Sequence, residues 1–191
     1  MRSKTRKYSF LTRHYRQQLQ LQHRRQVGPH GEPFTGGSGG VGGFAIQVAK
    51  YLGLTQIIVT CSARNQSYLK ELGATHVIDY RTEDVVGRVL EITDQQGVTL
   101  GLDTVGFVTD ILVANSLAYE GHMVELVDTL RPANDAFMKG LSFHQLSLGP
   151  GHRYGKVAKD KLVSAGKSFS KLVEQGDVKV PLLKIIALVR L

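Results

Sequence analysis

At 191 residues, with 42% hydrophobic and 21% charged side chains, the chain has room for about one domain of an ordinary globular protein. No apolar run reaches the roughly 18 residues of a membrane span, no apolar h-region opens the chain, and Cys61 is the only cysteine, so a transmembrane helix, a secretory signal and an internal disulfide are not expected. The net charge of +8 sits at one end: residues 1–25 hold Arg2, Lys4, Arg6, Lys7, Arg13, Arg16, Arg24 and Arg25 without an Asp or Glu, and the remaining 16 basic residues balance the 16 acidic ones.

Residues 1–34 are basic, Gln-rich and without apolar periodicity, which predicts a disordered arm or a weak helix. An arm that contacts nucleic acid, an organelle transit peptide and a non-native leader are its three readings. A transit peptide would want more Ala, Leu and Ser, and the plain leader is the reading adopted. No nucleic-acid or membrane partner is then expected, and the location is cytoplasmic, or mitochondrial if the arm is a transit peptide. Just before the glycines stands His30-Gly31-Glu32-Pro33-Phe34. Pro33 lacks a ladder donor and Glu32 suits a central strand poorly, so a first strand here is expected to be defective.

Thr35–Lys50 reads TGGSGGVGGFAIQVAK. Gly37-x-Gly39-x-x-Gly42 fits the dinucleotide fingerprint, and Gly36-x-x-Gly39-x-x-Gly42 fits an offset frame of it. In such a loop one glycine permits the tight turn, a second removes a Cβ that would block phosphates, and a third lets helix and strand pack closely. Val41, Phe44, Ala45, Val48, Ala49 and Leu52 then lie on one helix face, which Gly53 closes.

Gln56–Cys61 predicts a buried strand. Asn65 offers an N-cap to a helix running through Leu69 and Leu72 to Gly73, and His76–Asp79 predicts a third strand. Thr82 is placed to cap a helix with Glu83 and Asp84 in its first turn. Val98–Asp103 predicts a strand, Asp110–Leu117 a helix, His122–Val127 and Leu141–Leu148 further strands, and Val157–Glu174 a helix. This alternation predicts an α/β fold, a doubly wound parallel sheet with helices on both faces.

The cofactor class turns on the end of the second strand. An NAD site places an Asp or Glu there, about 20 residues past the loop, to hold the ribose 2′-OH. No acidic residue lies between Glu32 and Glu71, and the strand ends in Cys61-Ser62-Ala63-Arg64-Asn65. Ser62 and Asn65 donate hydrogen bonds and Arg64 neutralises a 2′-phosphate, so NADP(H) is expected over NAD(H). Asp103-Thr104-Val105-Gly106 closes the fourth strand, where Asp103 and Val105 would line the nicotinamide side; an Asp buried on the backbone of a plain turn is the other reading. Cys61 reads as a buried inert thiol. His152 and Arg153 read as an exposed loop pair, or as groups near the cofactor mouth. The seven histidines form no metal-ligand spacing, so no zinc ligands are expected.

Together TGGSGGVGGFAIQVAKYLG (35–53), IIVTCSARN (57–65), LGATHVIDYRTED (72–84), LDTVG (102–106) and FMKGLSFHQLSLGPGHRYG (137–155) resemble the medium-chain dehydrogenase/reductases, in particular the zinc-type alcohol dehydrogenase-like and quinone oxidoreductase members. The resemblance implies a Rossmann sheet of order 3-2-1-4-5-6, NADPH, and hydride transfer to or from a quinone, enal or alcohol. It puts Gly39, Gly40, Val41 and Gly42 over the pyrophosphate and Ser62, Arg64 and Asn65 around the 2′-phosphate, and Gly36 and Gly37 are expected among the cofactor-binding residues. It also implies a homodimer through residues 141–148. Family members carry a GroES-like substrate domain, with any zinc ligands, ahead of the cofactor domain, and their chain returns to it at the C-terminus. Here the arm, 1–34, stands in that place. The expectation is a truncated cofactor domain, 35–191, with apolar surface where the other domain docks, and the alternative is a noncatalytic nucleotide-binding fragment.

Overall fold

The structure is a computed structural model that describes residues 32–106, 108–127, 138–149 and 153–180, and for residues 32–34 the backbone only. Residues 1–31 of the basic arm and His152 lie outside the described residues, and the last three residues assigned to the arm, 32–34, form a strand. In chain order the elements are β1 (Glu32–Phe34), α1 (Gly40–Tyr51), β2 (Ile57–Cys61), α2 (Gln66–Leu72), β3 (His76–Asp79), α3 (Val85–Ile92), β4 (Val98–Asp103), α4 (Thr109–Ser116), β5 (Leu117–Glu125), β6 (Ser142–Gln145) and α5 (Gly155–Glu174). The strands form one parallel sheet in the order β3-β2-β1-β4-β5-β6. That is the doubly wound fold the alternation predicts.

The order follows from where each strand buries its side chains. All five residues of β2 are buried. Ile57, Val59 and Cys61 face Ile46, Ala49 and Leu69 of α1 and α2. Ile58, between them, faces Val85, Val89, Val113 and Met123 on the opposite side. A strand with both faces covered has no polar side to offer, so it reads as a continuous apolar run.

β1 sits at the centre of the sheet, but it is three residues long. It pairs with β2 at all three positions and with β4 only at Phe34↔Leu102. The Thr35 N–H donates to the Leu102 carbonyl at 3.1 Å, toward β4. Strand alternation turns Pro33 to the same side. The donor that Pro33 lacks is therefore subtracted from the β1–β4 ladder, which is the short one, while the β2 side is intact. The weak first strand is real, and it still delivers Thr35 to the head of the glycine loop.

Three predicted boundaries move: β6, expected over Leu141–Leu148, spans only Ser142–Gln145, and the other two shifts have a visible cause. α3 begins at Val85 with Asp84 as its N-cap, so Thr82, Glu83 and Asp84 all precede it and its first turn carries no acid. Glu83 instead turns back to accept the Asp79 N–H at 2.8 Å and pairs with Arg88 Nε at 3.1 Å. β5 begins at Leu117 instead of His122, directly after α4. The added stretch holds Glu120 at φ 58° and a register shift against β4 between Val98 and Leu100, irregularities that hide a strand from pattern reading.

α5 has twenty residues, none fully buried. It is held to α1 by an edge-on contact of Phe169 with Phe44, centroids 5.1 Å apart. Beyond its end Val178 is buried, and the buried Gln47 amide of α1 clamps the next residue: Lys179 N–H donates to Gln47 Oε1 at 2.7 Å, and Gln47 Nε2 donates to the Lys179 carbonyl at 3.1 Å. Among the described residues no helix is long and apolar enough to cross a membrane.

Ile58→Ala is expected to cost about 2–5 kcal/mol in chemical denaturation, because it opens a cavity in a face that cannot collapse. Val163→Ala, on the exposed side of α5, is expected to stay within about 0.5 kcal/mol of the wild type.

Candidate functional site

The carboxyl ends of β2, β1 and β4 are neighbours in the sheet, and the predicted site residues lie there. In the glycine loop each position has its own constraint. Gly36 has φ +67°, the left-handed region, and a Cβ on it would collide with the Thr104 hydroxyl and come within 2.8 Å of Val105 Cγ2. Gly37 lies against Val59, whose Cγ1 occupies the place a Cβ would take. A Cβ at Gly42 would strike the Gly36 carbonyl and stand 2.7 Å from Gly37 Cα. The close approach assigned to the third glycine is thus between the first turn of α1 and the loop. The left-handed turn belongs to Gly36, the first glycine of the offset frame.

Gly39 is the N-cap of α1, and no side chain caps the helix. Its own N–H returns to the Gly36 carbonyl at 3.0 Å. The next amides, of Gly40, Val41 and Gly42, open the helix, where no earlier turn supplies acceptors. Gly40 faces open space, with no atom within 4 Å of a Cβ built on it, and the Val41 side chain is exposed. This is a backbone cradle at a positive helix end, with room for a phosphate group.

At the end of β2, Ser62 is buried, Asn65 is half-buried and Arg64 is exposed. The Asn65 amide lies 3.5 Å from Ser62 Oγ and does not cap α2, so the predicted cap is right in position only. Among the described residues no carboxylate pairs with Arg64. Sequence reading missed Asp79, the buried last residue of β3. Its carboxylate accepts the Ala63 N–H at 3.1 Å and the Arg81 N–H at 3.0 Å, tying the two strand ends together. An Asp closing a strand was the available signal. Beside it Tyr80 is exposed, with the Arg81 guanidinium 5.9 Å from its ring centroid. Two exposed arginines therefore follow adjacent strands.

Asp103 is placed differently from the expectation that it lines the cleft. It is fully buried. Oδ1 accepts the Thr35 hydroxyl, the Val105 N–H at 2.9 Å and the Gly106 N–H at 3.3 Å, and Oδ2 lies 2.8 Å from the Thr109 hydroxyl. A carboxylate consumed in this way supports the site from below and does not face a ligand. Val105 does face outward, 43% exposed, beside Gly36. Val108, Val127, Leu146 and Leu148, after the ends of β4, β5 and β6, are also exposed. Arg153 is exposed, and among the described residues no three His, Cys, Asp or Glu side chains converge to hold a metal.

Gly42→Ala is expected to displace the loop and lower stability by about 1–3 kcal/mol, while Gly40→Ala, with open space around it, should remain within about 1 kcal/mol of the wild type in thermal melts. Burial, and after it the Asp79 carboxylate, push the Cys61 thiol above its ordinary range. Iodoacetamide at pH 8 should accordingly leave Cys61 unmodified in the folded chain and alkylate it after denaturation.

Residues 40–156, more than half of the chain, match the family model described as zinc-binding dehydrogenase. A quinone oxidoreductase of Pseudomonas aeruginosa is 32% identical over 158 residues, covering 81% of this chain and 48% of that protein. A trans-enoyl reductase of Aspergillus terreus is 42% identical over 76 residues, 40% of this chain and 20% of its own. Among solved structures, Escherichia coli quinone oxidoreductase complexed with NADPH superposes with a TM-score of 0.69 at 30% identity, covering 81% of this chain and 48% of that one. The chain thus spans about half or less of the length of these relatives. Its sheet order, its glycine loop and the match from the start of α1 through the five following strands together make it a member of the zinc-binding dehydrogenase family, within the medium-chain dehydrogenase/reductases.

Proposed function

We propose that this chain binds NADP(H) and forms the cofactor domain of an oxidoreductase that passes a hydride to or from a quinone, an enal or an alcohol. The observation that carries the reading is the uncapped N-terminus of α1 behind a loop whose Gly36, Gly37 and Gly42 have no space for a side chain. The residues fit the group. The Gly40, Val41 and Gly42 amides would hold the pyrophosphate, with Gly39 leaving room for it. Ser62, Arg64 and Asn65 would surround the 2′-phosphate, where an NAD site needs a carboxylate; Asp79, which reaches this end from β3, accepts the Ala63 and Arg81 amides. NADPH, when bound, supplies the hydride. The chain's part is to orient the cofactor, with Val105 against one side of the nicotinamide pocket.

The relatives named above are quinone oxidoreductases and trans-enoyl reductases, which supports a conjugated carbonyl acceptor. The exposed Val105, Val108, Val127, Leu146 and Leu148 would meet a substrate domain. β6 is an edge strand among the described residues, and a homodimer would pair it with a second copy through residues 141–148. The second reading is nucleotide binding without turnover.

NADPH binding, followed by fluorescence with NADH as competitor, tests the first half of the proposal. NADPH should bind more tightly, and Arg64→Ala should weaken NADPH by about tenfold while leaving NADH unchanged. Absence of binding by the folded chain sinks the cofactor reading. NADPH oxidation with a benzoquinone then separates the oxidoreductase from the fragment. Sedimentation at micromolar concentration should show a dimer, and a single monomeric species would remove the β6 pairing.

A further inference from the structure

The geometry points to two separate anchors under the cofactor cleft, with the buried Asp103–Thr35–Thr104 lattice acting as a positioning device for the pyrophosphate and nicotinamide end alone. This rests on the NADP(H) reading and deepens it. The lattice joins the two loops that flank the cleft. From β4, Asp103 accepts the Thr35 hydroxyl, and the Thr104 hydroxyl donates to the Thr35 carbonyl at 2.8 Å. The Thr104 N–H donates to Thr35 Oγ1 at 3.3 Å, and the Thr35 N–H to the Leu102 carbonyl at 3.1 Å. Every polar group of Thr35 is thereby fixed to β4 or to Thr104 just after it.

Thr35 is the residue before Gly36, and the Gly36 carbonyl receives the Gly39 N–H that starts α1. A rotation at Thr35 would carry the left-handed turn and the helix end with it. On the other side the same Asp103 oxygen holds the Val105 and Gly106 amides, which set Val105 against Gly36. One carboxylate therefore fixes the spacing of the two walls. β1 itself contributes little to this, since it pairs with β4 at a single residue. The side-chain lattice replaces the ladder bonds that a longer strand would supply.

The adenosine end is held by different groups. Ser62 to Asn65 is tied to β3 through Asp79, and none of the hydrogen bonds above reaches it. The two anchors share no residue, so they separate experimentally. The buried Asp103 carboxyl is matched by hydroxyl and amide donors, which makes it a positioning residue that touches no reacting atom.

The test uses the full chain with two probes: NADPH, and 2′-AMP, which carries the adenosine and 2′-phosphate without the pyrophosphate. Thr35→Val, which keeps the shape and removes the hydroxyl, should raise the NADPH dissociation constant by about tenfold and leave 2′-AMP unchanged. Thr35→Ser, which restores the hydroxyl, should return NADPH binding to the wild-type level. Thr104→Val removes the second cross-link from a half-buried position and should give the same split if Thr35→Val does not fold. NADPH binding that survives in both folded valine variants overturns the inference alone. Equal loss of both probes overturns it in favour of a purely structural role. A folded wild type that binds neither probe overturns the cofactor reading, and this inference with it.

Discussion

The first turn of α1 touches the loop that precedes it, backbone to backbone, and much of the architecture follows from that contact. Gly42 leaves no room for a Cβ beside the Gly36 carbonyl and Gly37 Cα, so the helix sits down on the loop. From there the buried side of α1, Ile46 and Ala49, meets Ile57 and Val59 of β2. Gln47 on the same helix reaches the backbone of Lys179, 132 residues away, and holds the chain that follows α5. A side chain at position 42 would lift the helix from the loop and disturb each of these contacts.

The same contact creates the chemistry. The helix N-terminus carries no capping side chain, and a Cβ built on Gly40 would meet open space. Uncapped amides at a positive helix end favour an anion. The buried carboxylates divide the supporting work. Asp103 binds the loop to β4, and Asp79 binds the end of β2 to β3. Asp103 accepts four donors of the protein and Asp79 two backbone amides. The cations Arg64 and Arg81 remain at the surface of that end.

Much of the fold was legible because its signals are local. Apolar spacing marked α1, although its buried face is Gly42, Gly43, Ile46, Gln47 and Ala49 and the ends of the predicted stripe, Val41 and Leu52, are exposed; a β-branched apolar run marked β2, and glycines marked the helix ends at Gly53 and Gly73. The exceptions are local too. Glu83 left the predicted helix because its carboxylate is used by the Asp79 N–H, an interaction invisible to spacing. The start of β5 was hidden by Glu120 at φ 58° and a register shift, which break the alternation a strand pattern needs. At the site, the glycines and the acid-free end of β2 could be read directly. Asp79 could not, because its partners lie on a neighbouring strand.

The sequence by itself determined the class of loop, the alternation of strands and helices, and the chemical character of the groups after β2, since each depends on residue types a few positions apart. Tertiary structure decided the rest. It turned Asp103 inward, because four donors from the residue after β1, the turn after β4 and α4 converge only once the strands are side by side. It also decided that a three-residue strand carrying Pro33 could serve at the centre of the sheet. The missing donor falls on the β4 side, where the hydroxyls of Thr35 and Thr104 make the connection that the ladder does not.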